Sequence, residues 1–122
     1  MTAWKTIYLP EAREDLRRLD GSTRLMVRKA IQKVLQNPLP QTEGGYGVPL
    51  GNKQGSHLAG CLKIKLLRIG IRVVYRLRYT EHGMEIVVIG ARADSEVYQV
   101  AEDRLHRQVI EKRNSNRTDK KE

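Results

Sequence analysis

Six cations, Lys63, Lys65, Arg68, Arg72, Arg76 and Arg78, stand within the nineteen residues Cys61–Tyr79, CLKIKLLRIGIRVVYRLRY. Together with Lys53 they lie between Glu43 and Glu81, a stretch that holds no acidic residue in a chain of formal net charge +9. Ammonium and guanidinium groups without nearby carboxylates hold phosphate oxygens, so the partner implied is a polyanion and the chemistry is chemistry at phosphate. Alternation says where the charges point. Leu62, Ile64 and Leu66 oppose Lys63 and Lys65 along one strand, and Ile71, Val73, Tyr75 and Leu77 oppose Arg72, Arg76 and Arg78 along the next. With Ile69-Gly70 in the turn, the two strands form an antiparallel hairpin that sets Lys and Arg side by side. A solvated outer sheet face explains one such residue well and six poorly, because like charges facing each other across strands destabilise by tenths of a kcal/mol or more per pair. A bound phosphate backbone offsets that repulsion. Exposed charges contribute little to stability, so reversal of Arg76 or Arg78 to Glu is expected to weaken binding of the polyanion and to leave the fold unchanged.

The elements that must position this hairpin follow the order β-α-α-β-β-β-α, an α+β domain. In 122 residues there is room for one core. Lys5–Leu9 reads as a strand, and Pro10 opens a helix to about Leu19 with Ala12, Leu16 and Leu19 on one face. After Asp20-Gly21, Ser22 or Thr23 is expected to cap a second helix whose apolar stripe is Leu25, Met26, Ala30, Ile31, Val34 and Leu35, stopped by Asn37-Pro38. Residues 37–57 show no periodicity and read as a long loop. EIVVIGA, 85–91, is almost continuously apolar, as a central strand would be. The last helix begins near Asp94 or Ser95, carries Val97, Val100, Ala101, Leu105 and Val109, and is expected to end before Asn114. The domain should therefore span 1–110, with 111–122 a polar and disordered tail.

Several function classes fall away. His57, His82, His106 and the lone Cys61 have no ligand spacing, so no metal and no cofactor is expected. Gly44-Gly45-Tyr46-Gly47 lacks the Lys-Ser/Thr of a phosphate-cradling loop. Neither a signal-peptide pattern nor an 18-residue apolar run is present, and a cytoplasmic location without a membrane partner is expected. Cys61, among apolar strand residues, reads as a buried thiol.

Three pieces in order, K-x-K at Lys63 and Lys65, G-x-R-x-x-Y from Gly70 to Tyr75, and R-x-x-S-E-V-Y from Arg92 to Tyr98, together resemble the RelE branch of the RelE/ParE toxin superfamily. Gln36-Asn37-Pro38, closing the αα-hairpin, stands where that family has a helix-stopping Asn-Pro or Ser-Pro. The likeness runs from about residue 4 to 106. It departs at Ala59, where a basic residue is common, and in the length of 40–57. The resemblance implies a RelE-like fold, with the N-terminal strand and αα-hairpin packed on a small, mostly antiparallel sheet and a C-terminal helix. It also implies a type II toxin–antitoxin toxin that cuts mRNA in the ribosomal A site and is neutralised by a cognate acidic antitoxin. The residues that the likeness assigns to catalysis are Lys63, Lys65, Arg72, Arg92 and Tyr98, with Arg68, Arg76 and Arg78 left to bind RNA.

Those residue types suit cleavage of RNA by its own 2′-OH, which needs a base, charge stabilisation at phosphorus and an acid, but no metal. Lys63 or Lys65 can serve as base only when neutral, which neighbouring cations favour. Arg72 suits the non-bridging oxygens, Arg92 the region of the leaving oxygen, and Tyr98 can stack on an unpaired base for ~1–3 kcal/mol or orient the hydroxyl. A core aromatic is the plain alternative for Tyr98. A ParE-like gyrase inhibitor and a non-catalytic nucleic-acid-binding homologue are the competing functions.

Overall fold

The computed structural model describes residues 3–50, 58–91 and 93–120, the last eight by backbone alone. Its elements are β1 (Lys5–Tyr8), α1 (Pro10–Arg18), α2 (Gly21–Leu35), β2 (Val48–Pro49), β3 (Cys61–Leu66), β4 (Ile71–Arg78), β5 (Gly83–Gly90) and α3 (Asp94–Lys120). They build one five-stranded sheet in the order β1-β5-β4-β3-β2. β1 runs parallel to β5, and every other pairing is antiparallel. The α+β class and the hairpin of β3 and β4 are as the alternation predicts.

Local chemistry explains the boundaries. Pro10 occupies the first turn of α1, where its missing N–H costs nothing. Asp20, not Ser22 or Thr23, caps α2: its carboxylate accepts from the Thr23 amide at 2.9 Å and from the Ser22 hydroxyl. Leu25 and Met26, expected in the α2 stripe, are exposed at 54% and 53%, and the buried seam is Val27, Ile31 and Val34. The polar tail is not a break in the helix: α3 continues as helical backbone through Lys120, past Asn114. No Gly or Pro interrupts that run, and its Arg and Lys residues are good helix formers. No helix among the described residues is long and apolar enough to cross a membrane.

The core is the sheet and what covers it. Gly83 to Ile89 of β5 are all buried, which is why that strand reads as one apolar run. The segment after α2, expected as loop, supplies a short 3-10 turn at Gln41–Glu43 and the edge strand β2. Its seat is tight: the Tyr75 hydroxyl donates to the Pro38 carbonyl at 2.8 Å, and a Cβ at Gly47 would stand 2.3 Å from that hydroxyl oxygen.

β5 is longer than its neighbour β1, whose pairing stops at Ile86. Beyond that point an ion pair replaces the missing strand. Asp15 of α1 accepts from the Ile89 amide at 3.1 Å and from Arg104 of α3, while the same guanidinium donates to the Val87 carbonyl at 2.9 Å. Both side chains are largely buried, and both backbone groups of the strand edge are satisfied.

Cys61 begins β3 and is 2% exposed, as expected for a strand thiol in a core. Burial pushes its pKa up to about 11. At neutral pH its thiolate fraction is then about a hundredfold below that of an ordinary cysteine. Alkylation in native buffer should be slower than in denaturant by at least that factor; labelling at equal rates would show that the thiol is accessible. Cys61→Ser should fold with a loss of about 1 kcal/mol.

Candidate phosphate-binding site

Register brings the cations together. Lys65 pairs directly with Arg72, Lys63 with Val74 and Cys61 with Arg76, so Lys63, Lys65, Arg72 and Arg76 share one face of β3 and β4. The tight turn that joins the strands passes through Gly70 at φ 66°, a left-handed conformation that suits glycine. Its carbonyl accepts from Arg72 at 3.1 Å, which fixes the guanidinium near the hairpin end.

α3 lies across this face, so the face is neither bare nor fully solvated. Asp94, the first residue of α3, accepts from Lys65 Nζ at 2.6 Å through one carboxylate oxygen and from Arg72 Nε at 2.7 Å through the other. These two cations hold the Asp94 carboxyl below its ordinary value, the Lys65 hydrogen bond contributing most. A depressed carboxyl stabilises the fold at neutral pH and loses that contribution as pH falls through its lowered pKa. One turn further along, the Tyr98 ring lies under Lys63, whose Nζ is 5.8 Å from the ring centroid. Tyr98 is 8% exposed, and its hydroxyl is buried without a hydrogen-bond partner among the described residues. The structure thus places Tyr98 in the core, as the plain alternative expected, with its ring against Lys63.

Lys63, Lys65, Arg72 and Tyr98 therefore converge from β3, β4 and α3. Arg92 lies outside the described residues. Arg68 is exposed in the β3–β4 turn. Arg76 and Arg78 are different. Arg76 Nε donates to Glu85 Oε1 and its terminal nitrogen to Gln108 of α3 at 2.7 Å, while Arg78 reaches Glu85 Oε2 at 3.0 Å and Glu81 at 2.8 Å. Glu85 is 2% exposed, a buried carboxylate held by two guanidinium groups. Its contacts raise the pKa of Arg78 further above the ordinary arginine value. The acid-free stretch is thus partly neutralised in space by acids that follow it in the chain, Glu81 and Glu85 on the neighbouring hairpin and Asp94 at the start of α3. Sequence reasoning passed over Asp94 as a helix cap and Glu85 as a strand residue. The signal was available in the like-charged pair Lys65 and Arg72, which register forces together and which only an anion reconciles.

A mixed sheet with its N-terminal αα-hairpin, and a cationic hairpin closed over by a C-terminal helix, makes a small α+β domain of the RelE fold. No protein-family model matches the chain. It is 29% identical over 94 residues to the mRNA interferase toxin RelE of Escherichia coli K12, an overlap of 77% of this chain and 88% of that protein. The isolated E. coli RelE toxin superposes with a TM-score of 0.59 at 25% identity, over 84% of this chain and 99% of the other. The fold is also that of the toxin in the intact E. coli RelBE toxin–antitoxin complex, with a TM-score of 0.57 at 23% identity over 75% of this chain and 99% of that one. Over most of its length the chain is similar in sequence to RelE toxins, and it shares their fold.

Proposed function

We propose that this protein is the toxin of a type II toxin–antitoxin system, a metal-independent endoribonuclease that cleaves mRNA on the ribosome. The observation that carries the reading is the convergence of Lys63, Lys65, Arg72 and Tyr98 at one end of the β3–β4 hairpin, on a chain similar to an mRNA interferase. In the reaction the 2′-oxygen of the nucleotide before the cut attacks the adjacent phosphorus, and its proton passes to one lysine of the Lys63/Lys65 pair. Negative charge grows on the non-bridging oxygens, where Arg72 and the charged lysine stabilise it. The bond to the 5′-oxygen breaks, that oxygen takes a proton, and the products are a 2′,3′-cyclic phosphate and a 5′-hydroxyl. Tyr98, with its ring against Lys63, stacks on or orients the attacking nucleotide, and Arg92 serves the leaving side.

The toxin domain in this reading spans 1–110, with 111–122 an appended polar segment. It acts in the cytoplasm, and Arg68, with Arg76 and Arg78, draws in RNA. An acidic antitoxin encoded beside it covers the cationic hairpin and α3, as an antitoxin accompanies RelE in the solved RelBE complexes. Expression from a tight promoter followed by mapping of RNA 5′ ends tests the whole. Cuts inside translated codons bearing a 5′-hydroxyl are expected. Intact mRNA with a DNA-damage response would instead make the protein a gyrase poison, and growth arrest with neither would make it a binding protein.

A further inference from the structure

The clamp at the start of α3 has a shape beyond its structural use. A single anionic group offers two oxygens, one to a primary ammonium at 2.6 Å and one to a guanidinium nitrogen at 2.7 Å. Two non-bridging oxygens of a phosphodiester would present themselves to Lys65 and Arg72 in the same manner. Lys65 and Arg72 are cross-strand partners whose side chains keep 34% and 24% of their exposure, and Asp94 keeps 37%. The clamp is therefore open to solvent on one side, where an RNA strand can reach it. Arg72 is also tied to the Gly70 carbonyl, so its guanidinium stays in place when the carboxylate leaves.

We propose that Asp94 is an internal stand-in for the RNA phosphate, a positioning residue that aligns Lys65 and Arg72 and that the incoming phosphodiester displaces. The inference rests on the endonuclease reading and adds to it a built-in restraint. Without RNA the carboxylate removes the repulsion between two facing cations and lowers their pull on stray polyanions. With RNA the phosphate takes both donors, and Asp94, at the edge of the helix, turns to solvent. Affinity is thereby given up for alignment.

The test uses the full chain and a short RNA whose scissile nucleotide carries 2′-deoxyribose, which binds and cannot be cut. Its dissociation constant is measured by fluorescence anisotropy across a salt series for the native protein, Asp94→Asn and Asp94→Glu. Asp94→Asn should bind about tenfold more tightly, because one opposing charge leaves the phosphate site. Its slope of log affinity against log salt should steepen by about 0.7, the increment for one more phosphate neutralised on a single strand. Asp94→Glu should stay within about threefold of the native value, since the charge remains. In the Lys65→Ala background the gain from Asp94→Asn should shrink. A carboxylate that only docks α3 would show a lowered midpoint of thermal unfolding with no gain in affinity and an unchanged slope. That result, or tighter binding that persists undiminished without Lys65, overturns the proposal. Cleavage of translated mRNA by the native protein is read separately: RNA cut normally with no effect of Asp94→Asn on binding sinks the clamp and spares the endonuclease, whereas tighter binding by a protein that never cuts RNA does the reverse.

Discussion

Cleavage of ribosome-bound mRNA by an Arg72→Ala variant is expected to slow by about 10²–10³-fold, with ribosome binding close to native. The guanidinium is placed by two bonds from within the hairpin and α3, to the Gly70 carbonyl and to Asp94. A group fixed before the substrate arrives needs no reorganisation when charge develops on the phosphorane, and that is where preorganised donors contribute most. Arg72→Lys should not restore the rate, because its donors all sit on one nitrogen and cannot reproduce the planar fork that serves the turn from one nitrogen and the anion from another. Single-turnover cleavage measured beside ribosome affinity separates the two effects. An Arg72→Ala protein that still cuts at the native rate would remove Arg72 from the chemistry, and a loss of rate matched by loss of binding would reduce it to a docking residue.

Arg76→Ala should destabilise the protein by about 2–3 kcal/mol, through loss of a charged hydrogen bond to a buried carboxylate. This reverses the expectation drawn from the strand pattern, in which Arg76 and Arg78 were exposed and indifferent to stability. The reason is Glu85, 2% exposed and bonded to both guanidinium groups. Arg76→Glu should cost more, since it sets two carboxylates face to face across the strands. Adding Glu85→Gln to Arg76→Ala should recover part of the loss, because the uncompensated buried charge is gone. Urea denaturation of the four proteins gives the cycle. Equal midpoints for the native protein and Arg76→Ala would show that Arg78 alone satisfies Glu85.

Much of the architecture was written in short-range patterns. Period-two alternation from Cys61 to Arg78 defined β3, β4 and their shared cationic face, and an unbroken apolar run marked β5 as central. Pro10 and Asn37-Pro38 bounded the αα-hairpin. What local pattern could not carry was partnership across the chain. Glu85 sits amid apolar neighbours, and its role exists only once β4 lies beside it; Asp94 is 29 residues from Lys65 and meets it only through the turn of the chain from β5 into α3. Leu25 and Met26 have the right type for the α2 stripe, but the helix is rotated by Val27, Ile31 and Val34. The strand β2 is two residues long and contains Pro49, too little signal for any periodicity.

The bracket formed by Asp15 and Arg104 joins parts of the molecule that the sheet alone would leave independent. One carboxylate from the N-terminal hairpin and one guanidinium from the last helix meet on the unpaired margin of β5. Peeling α3 away would therefore uncover the Val87 carbonyl in the middle of the protein and leave Asp15 without its cation, opening a strand margin to another molecule. Such a margin makes partial opening hazardous, so unfolding of the helix and of the sheet should be felt as a single event. In a cell the expected outcome is a protein that is either whole or surrendered to proteases, with little population between.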